Sequence, residues 1–194
     1  METEKTNYVD NYFAVTSTVI EQVNRKDIED VAHLLAELKK SGGRLFLLGV
    51  GGSAANCSHA VNDFRKICHI EAYAPTDNVA ELTARTNDDG WETIFSSWLE
   101  GSHLTPKDVV MVLSVGGGNV EKNISTNIVK ALEFAIRKGS PITGIVSRDG
   151  GYTRRVARAS VLIPVSEAEL ITPVAESFQA VIWHLLVNHP LLTG

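Results

Sequence analysis

Cysteine is scarce in this chain, which has two cysteines among 194 residues. Two cysteines cannot form the framework of bridges that holds small secreted domains together. The spacing of Cys57 and Cys68 also matches no metal-binding pair. We therefore predict two reduced thiols in a cytoplasmic protein, where disulfides are rare.

An excess of positive charge is also absent. The 18 lysines and arginines are outnumbered by 23 aspartates and glutamates, which gives a net charge of −5. Proteins that wrap DNA or RNA are usually basic, so we expect no nucleic-acid partner. A local phosphate site stays open, because backbone N–H groups bind phosphate without any net positive charge.

We find no long apolar run in the sequence. No run reaches the roughly 18 residues of a membrane span, so we expect a soluble protein without a membrane partner. The first residues, METEKTNYVDNYF, are polar and acidic, unlike a signal peptide. Apolar residues make up 44% of the chain, which suffices for the core of one ordinary domain.

Short apolar runs alternate with helical patterns along most of the chain. The runs predict strands at residues 44–50, 72–77, 108–114, 141–146 and 160–164. Apolar residues at helical spacing predict helices at residues 53–67, 121–138 and 176–188. Strands that are apolar on both faces and separated by helices favour a parallel sheet covered on both sides. We predict one α/β domain over residues 1–194.

Residues 1–41 precede the first strand and are predicted to form a helical extension of two helices. Asp27 is the expected N-cap of the second helix, and Ser41-Gly42-Gly43 its end. The extension either packs on its own domain or pairs with another subunit, and the sequence favours neither.

Two glycine-rich junctions follow predicted strands and precede predicted helices. The first runs from Gly49 to Ser53, and the second from Ser114 to Asn119. In a parallel sheet both lie at the carboxyl ends of strands, where ligands bind, and a helix N-terminus behind each loop favours an anion. Neither loop has the spacing of a Walker loop or a complete dinucleotide fingerprint, which disfavours a nucleotide.

Two histidine–carboxylate pairs stand on predicted helices. His59 and Asp63 are one turn apart, and Glu176 and His184 are close to two turns apart, so each pair shares a face. Such pairs can bind a divalent metal such as zinc, or act as acid and base across a substrate. The spacing leaves both roles open, beside a purely structural one.

Two further polar segments are interpreted more simply. Thr86 to Gly90, which contains Asn87 and Asp88, has the composition of a turn. Arginines follow the third long strand, and we expect them to form a solvated face rather than an anion site: Arg148, Arg154, Arg155 and Arg158.

Five segments, taken in order, resemble the SIS (sugar isomerase) family, and within it the phosphoheptose isomerases. The resemblance covers nearly the whole chain. The matching segments are GVGGSAANCSHAVNDF, TNDDGWETIF, VLSVGGGN, GIVSRDGG and TPVAESFQAVIWHLL. It implies a flavodoxin-like three-layer α/β/α sandwich and a homotetramer with active sites between subunits. It also implies a sugar phosphate as the substrate, zinc as the metal, and isomerisation of sedoheptulose 7-phosphate to an aldose heptose 7-phosphate.

The resemblance also assigns site residues. The substrate loop falls on Val50, Gly51, Gly52 and Ser53, and the Asn–Asp pair on Asn87 and Asp88. The phosphate loop falls on Ser114, Val115, Gly116 and Asn119. The zinc site falls on His59, Asp63, Glu176 and His184, and we expect Glu176 or Asp63 to be the catalytic base, with His184 as its partner.

Several of these positions depart from the family pattern. Val50 replaces an asparagine, while Val115 and Gly116 replace two hydroxyl residues of the phosphate loop. Asp63 replaces a glutamate and Glu176 a glutamine, so the carboxylate that acts as the base has two candidate positions. The departures leave two alternatives open: a non-catalytic module that binds a phosphosugar or bridges partners, and an isomerase of another sugar phosphate.

Overall fold

The computed structural model describes residues 7–194 and centres on a five-stranded parallel sheet. The strand order is β2-β1-β3-β4-β5, the flavodoxin-like arrangement, which confirms the predicted fold class. Every predicted strand is present, although the ends differ. The strands are β1 (Leu45–Leu48), β2 (Ala72–Tyr73), β3 (Val109–Ser114), β4 (Ile142–Val146) and β5 (Ala159–Leu162).

Helices connect the strands and cover both faces of the sheet. The helices are α1 (Tyr8–Gln22), α2 (Arg25–Ser41), α3 (Gly52–Lys66), α4 (Val79–Asp88), α5 (Ile94–Gly101), α6 (Thr126–Lys138), α7 (Gly151–Val156), α8 (Ile171–Val187) and α9 (Pro190–Thr193). Successive side chains of a strand point to opposite faces. Leu45 and Leu47 of β1 therefore pack toward α2, α3 and α8, while Phe46 and Leu48 pack toward α5 and α6.

The N-terminal extension packs on its own domain. Val15 and Val19 of α1 and the apolar stripe of α2 are buried in the same core as β1. The N-cap of α2 is Asn24, whose side chain accepts a hydrogen bond from the Lys26 N–H, so the prediction of Asp27 as the cap was wrong. Asp27 lies in the first turn, where its charge favours the helix dipole.

Two helices begin well away from their predicted starts, whereas α3 begins one residue from its own. Asn119 and Ile124 pair as an isolated antiparallel bridge, which keeps the chain between them out of α6 until Thr126. Helix α8 begins at Ile171, ahead of the predicted start, because Pro173 fits the first turn of a helix. Glu176 therefore lies inside α8 rather than at its start.

The segment Ala168–Val187 has the length and apolar composition of a membrane-spanning helix, which corrects our expectation that no segment does. Half of it is buried inside the domain. Core helices of globular domains have the same composition, and α8 packs here on α3 and the sheet.

An ion pair between Arg44 and Asp108 lies at the amino ends of β1 and β3. Asp108 is 2% exposed and accepts hydrogen bonds from Nε and Nη2 of Arg44, at 3.1 and 2.8 Å. The backbone N–H groups of Arg44 and Thr105 donate to the same carboxylate. Burial raises the pKa of Asp108, but these hydrogen bonds outweigh it and hold the pKa below its ordinary value.

We expect Asp108→Asn to lower the free energy of unfolding by about 3 kcal/mol, because it leaves the Arg44 charge without its partner. A carboxyl with a lowered folded-state pKa stabilises the fold above its ordinary pKa of 3.8 and loses that contribution as the pH falls through the lowered value. Denaturant unfolding at a series of pH values measures both effects. An acid slope in the variant as steep as in the wild type would contradict this account.

Candidate active site

A cavity of about 660 Å³ opens where the loops after β1 and β3 meet. These two strands are neighbours whose connections leave in opposite directions, the point at which open α/β sheets bind ligands. The cavity is lined by residues that the sequence predicted, namely Val50, Ser53, Ser114, Val115, Gly116, Asn119 and Glu176. It is also lined by residues that the sequence prediction missed, namely Lys122, Ile124, Ser125, Arg148, Asp149 and Thr172.

The glycine loop after β3 is held against the start of α7. Gly117 has a φ of +66°, and an added Cβ there would collide with the carbonyl oxygen of Gly150. The Gly117 N–H donates to Oγ of Ser114 at 3.0 Å, and the Gly117 carbonyl accepts from Oγ1 of Thr153 at 2.7 Å. The loop therefore presents a fixed backbone to the cavity.

Arg148 differs from Arg155 and Arg158, which follow it in the sequence. Its stem passes over the glycine loop, where a Cβ at Gly116 would lie 3.9 Å from its Cδ. No carboxylate in residues 7–194 pairs with Arg148, and the same holds for Lys122, which also lines the cavity. Arg155 and Arg158 instead pair with Glu121 and Glu37 at the surface. Arg148 is exposed, as expected, but it also lines the cavity.

The carboxylate of Glu176 enters the cavity from α8. Its Oε1 accepts hydrogen bonds from the backbone N–H and the hydroxyl of Ser53, at 3.0 and 3.1 Å. The carboxylate packs directly on Gly52, because a Cβ built there would lie 2.8 Å from Cδ and 2.9 Å from Oε1 of Glu176. The first turn of α3 therefore fixes the position of this carboxylate.

A second cluster lies farther along the same two helices. Oδ2 of Asp63 is 3.8 Å from Nε2 of His59 and 3.7 Å from Nε2 of His184. The three candidate ligand atoms lie within 4.8 Å of one another. Asp63 is buried, whereas both histidines are exposed.

The hydrogen bonding of His184 suits a metal ligand. Its Nδ1 lies 2.8 Å from the carbonyl oxygen of Ala180, which can only accept, so Nδ1 carries the proton. Nε2 is the nitrogen that faces Asp63, and in the neutral ring it has a free lone pair. Metal-binding histidines usually donate their other ring N–H in this way, so the cluster fits a divalent ion such as zinc.

Comparison with known proteins identifies the family. The SIS domain model matches residues 7–147. The chain belongs to the SIS domain family. A phosphoheptose isomerase of Akkermansia muciniphila is 36% identical over 143 residues, which cover 71% of this chain and 72% of that protein.

Two further comparisons cover a larger share of this chain. A phosphoheptose isomerase of Trichlorobacter lovleyi is 31% identical over 166 residues, 83% of this chain and 79% of its own. The structure of the phosphoheptose isomerase GmhA from Neisseria gonorrhoeae superposes with a TM-score of 0.79 at 23% identity. The match covers 93% of this chain and 96% of that one, and it shows a shared fold.

This SIS domain does not bring all the predicted site residues together. Glu176 contacts Ser53 and lies outside the cluster of His59, Asp63 and His184 found among the described residues. Asn87 and Asp88 are exposed at the end of α4, hydrogen-bonded to each other, and do not line the cavity. Gly51, which caps α3, and Gly52, its first residue, lie between two lining residues, Val50 and Ser53.

We expect the Gly52→Ala variant to fold normally and to lose most of its catalytic turnover. The added Cβ meets the end of the Glu176 side chain, which can rotate away, so the fold tolerates the change while the carboxylate moves. A displacement of about 1 Å at a reacting group can cost about 100-fold in rate. Thermal unfolding and turnover measured together check this. A variant with normal turnover would show that the Gly52 contact does not set the carboxylate position.

Proposed function

We propose that this chain is a phosphoheptose isomerase that interconverts sedoheptulose 7-phosphate and D-glycero-D-manno-heptose 7-phosphate. Curated relatives 31% and 36% identical to it carry that name. One observation carries the proposal: a hydrogen-bonded carboxylate, Glu176, shares a cavity with a glycine loop and two cations. Proton transfer at carbon needs a carboxylate, and anchoring a phosphate needs the glycine loop and the cations.

Glu176 is the base in this proposal. Aldose–ketose isomerisation moves a proton between neighbouring carbons through an enediol, so one carboxylate can remove it and return it. Glu176 lines the cavity, whereas the other candidate, Asp63, lies in the histidine cluster. Thr172 lines the same cavity, and its hydroxyl is a hydrogen-bond donor of the kind that a substrate oxygen needs.

The phosphate end is formed by the loop after β3 and by Arg148 and Lys122. Arginine suits a phosphate because its planar guanidinium donates two parallel hydrogen bonds, and lysine adds a point charge. Arg148 lies beside Gly116, where the family has a hydroxyl residue, and Lys122 lines the same cavity. The charge of these side chains compensates for the missing hydroxyls.

Zinc is the proposed metal, held by His59, Asp63 and His184. When bound, zinc supplies a Lewis acid that can polarise a carbonyl oxygen. The proton on Nδ1 of His184 is donated to Ala180, and its Nε2 faces Asp63, so the geometry supports the ligand role of His184 over its role as a proton-transfer partner. The additional place of Glu176 in the ligand set stays a prediction.

A homotetramer with sites between subunits is the proposed assembly. Apolar side chains are exposed on one face of α1, with Val9 at 53%, Phe13 at 65% and Ile20 at 52%. Asn87 and Asp88 also lie away from the cavity of their own chain, as a site completed by a second copy requires.

The proposed compartment is the cytoplasm. Cys57 and Cys68 are both free and buried. Burial raises the pKa of both thiols, that of Cys68 to about 11, which keeps them protonated and unreactive.

Proton NMR with sedoheptulose 7-phosphate in D2O tests the reaction. We expect the wild type to produce an aldose anomeric signal with deuterium at C2, and Glu176→Gln to turn over about 100- to 10,000-fold more slowly. Asp63→Asn is the matched carboxylate change, expected to lose bound zinc by metal analysis.

The outcomes separate the alternatives. No aldose signal from the wild type, with and without zinc, would refute the isomerase. A ligand-induced rise in melting temperature would then favour a binding module or another sugar phosphate. Normal turnover by Glu176→Gln would refute the assignment of the base.

We expect Arg148→Ala to raise KM by about 10- to 100-fold, with a smaller change in kcat, since a hydrogen bond to a charged group is worth about 1.5–3 kcal/mol. Arg158→Ala removes the same charge from a surface pair with Glu37 and serves as the control. Steady-state kinetics at two salt concentrations measure both variants. Equal KM values for the two would show that Arg148 does not bind the phosphate.

A further inference from the structure

We propose that Gln179 is a positioning residue that orients Glu176 through the hydroxyl of Ser53. The inference rests on the proposed function, because it concerns the carboxylate assigned as the base. Gln179 does not line the cavity, and neither its helical spacing nor its residue type predicts a role.

Four polar side chains of α3 and α8 form a continuous chain of hydrogen bonds. Nδ2 of Asn56 donates to Oε1 of Gln179 at 2.9 Å. Nε2 of Gln179 donates to Oγ of Ser53 at 3.0 Å, and Oγ of Ser53 donates to Oε1 of Glu176 at 3.1 Å. The chain therefore leads from a residue outside the cavity to the carboxylate inside it.

The direction of this chain is determined by groups that can only accept. Nδ2 of Asn56 also donates to the backbone carbonyl of Glu176 at 2.9 Å, which fixes the orientation of the Asn56 amide. Gln179 must then present its oxygen to Asn56 and its NH2 group to Ser53. The Ser53 hydroxyl accepts from Gln179 with one of its two lone pairs and donates its only proton to Glu176.

Burying the Gln179 amide costs free energy unless its polar atoms are hydrogen-bonded. Gln179 is 0% exposed and Ser53 2% exposed, and the neighbours of Gln179 on α8 include Phe178 and Ile182 in the apolar core. A buried amide gains little over an apolar side chain of similar size, which would pack without any hydrogen-bond requirement. The specific contribution of Gln179 is the proton direction that it imposes on Ser53.

The consequence falls on the two oxygens of the carboxylate. Both Ser53 donors converge on Oε1, and no donor in the described residues reaches Oε2. Oε2 packs on Gly52 but receives no hydrogen bond from the described residues, so its lone pairs are the ones left for a substrate proton. Without the Gln179 contact the Ser53 hydroxyl can rotate away, and the carboxylate loses one of the two hydrogen bonds that hold it.

Gln179→Met tests this role, because methionine keeps the length and unbranched shape but has no amide. We expect kcat to fall about 10- to 100-fold with KM changed less than about twofold, as for a misplaced reacting group. Ser140→Ala is the matched control, since it removes another buried hydrogen bond, to the Asp108 carbonyl, far from the cavity. Asn56→Ala, at a partly exposed position, should act in the same direction with a smaller effect, and it provides the test if Gln179→Met does not fold.

A double-mutant cycle with Ser53→Ala separates positioning from loss of stability. If Gln179 acts through the Ser53 hydroxyl, Gln179→Met should change kcat less than about twofold when that hydroxyl is already gone. Additive losses, or a kcat like that of Ser140→Ala, would overturn the proposal.

A readout without turnover keeps this test separate from the proposed function. The Ser53 backbone N–H, which donates to Glu176, should move upfield in the ¹⁵N–¹H spectrum of Gln179→Met and stay in place in Ser140→Ala. If the wild type does not isomerise the heptose phosphate, the function fails while this shift still tests the positioning. An unchanged Ser53 resonance overturns the positioning in either case.

Discussion

The side-by-side packing of α3 and α8 is the contact on which both parts of the site depend. Ser53 at the start of α3 binds Glu176, and Asp63 near its end faces His184. Both distances depend on how the two helices are aligned along their axes. Between these contacts Asn56 of α3 and Gln179 of α8 form a hydrogen bond, which also depends on the alignment of the two helices. A shift of one helix along the other would disturb the cavity and the histidine cluster together.

This alignment separates two carboxylates that the family pattern leaves as alternatives. Asp63 is one methylene shorter than the family glutamate and stays between two histidines. Glu176, in place of a glutamine, gains the negative charge and reaches the cavity. In the proposed function, the shorter side chain on α3 is the carboxylate for the metal, and the charged one on α8 is the carboxylate for the proton.

Periodicity predicted the architecture because it reports burial directly. The strands are apolar on both faces, and the parallel sheet confirms that interpretation. The spacing of His59 and Asp63 indicated a shared face, and they do meet. Residue spacing does not predict the path of an irregular loop. Lys122 reaches the cavity because Asn119 and Ile124 pair, and Arg148 does so from a left-handed backbone conformation with φ +53°.

Gln179 shows the same limit in a regular element. Its place on α8 follows from helical periodicity, but its function depends on the direction of hydrogen bonds that involve three other side chains. That direction becomes evident only when the acceptor-only carbonyl of Glu176 is placed beside Asn56. A buried amide next to a catalytic candidate is therefore best interpreted by tracing its hydrogen bonds to a group with one possible role. Here that path ends at the Glu176 carboxylate, and its consequence is to distinguish one carboxylate oxygen from the other.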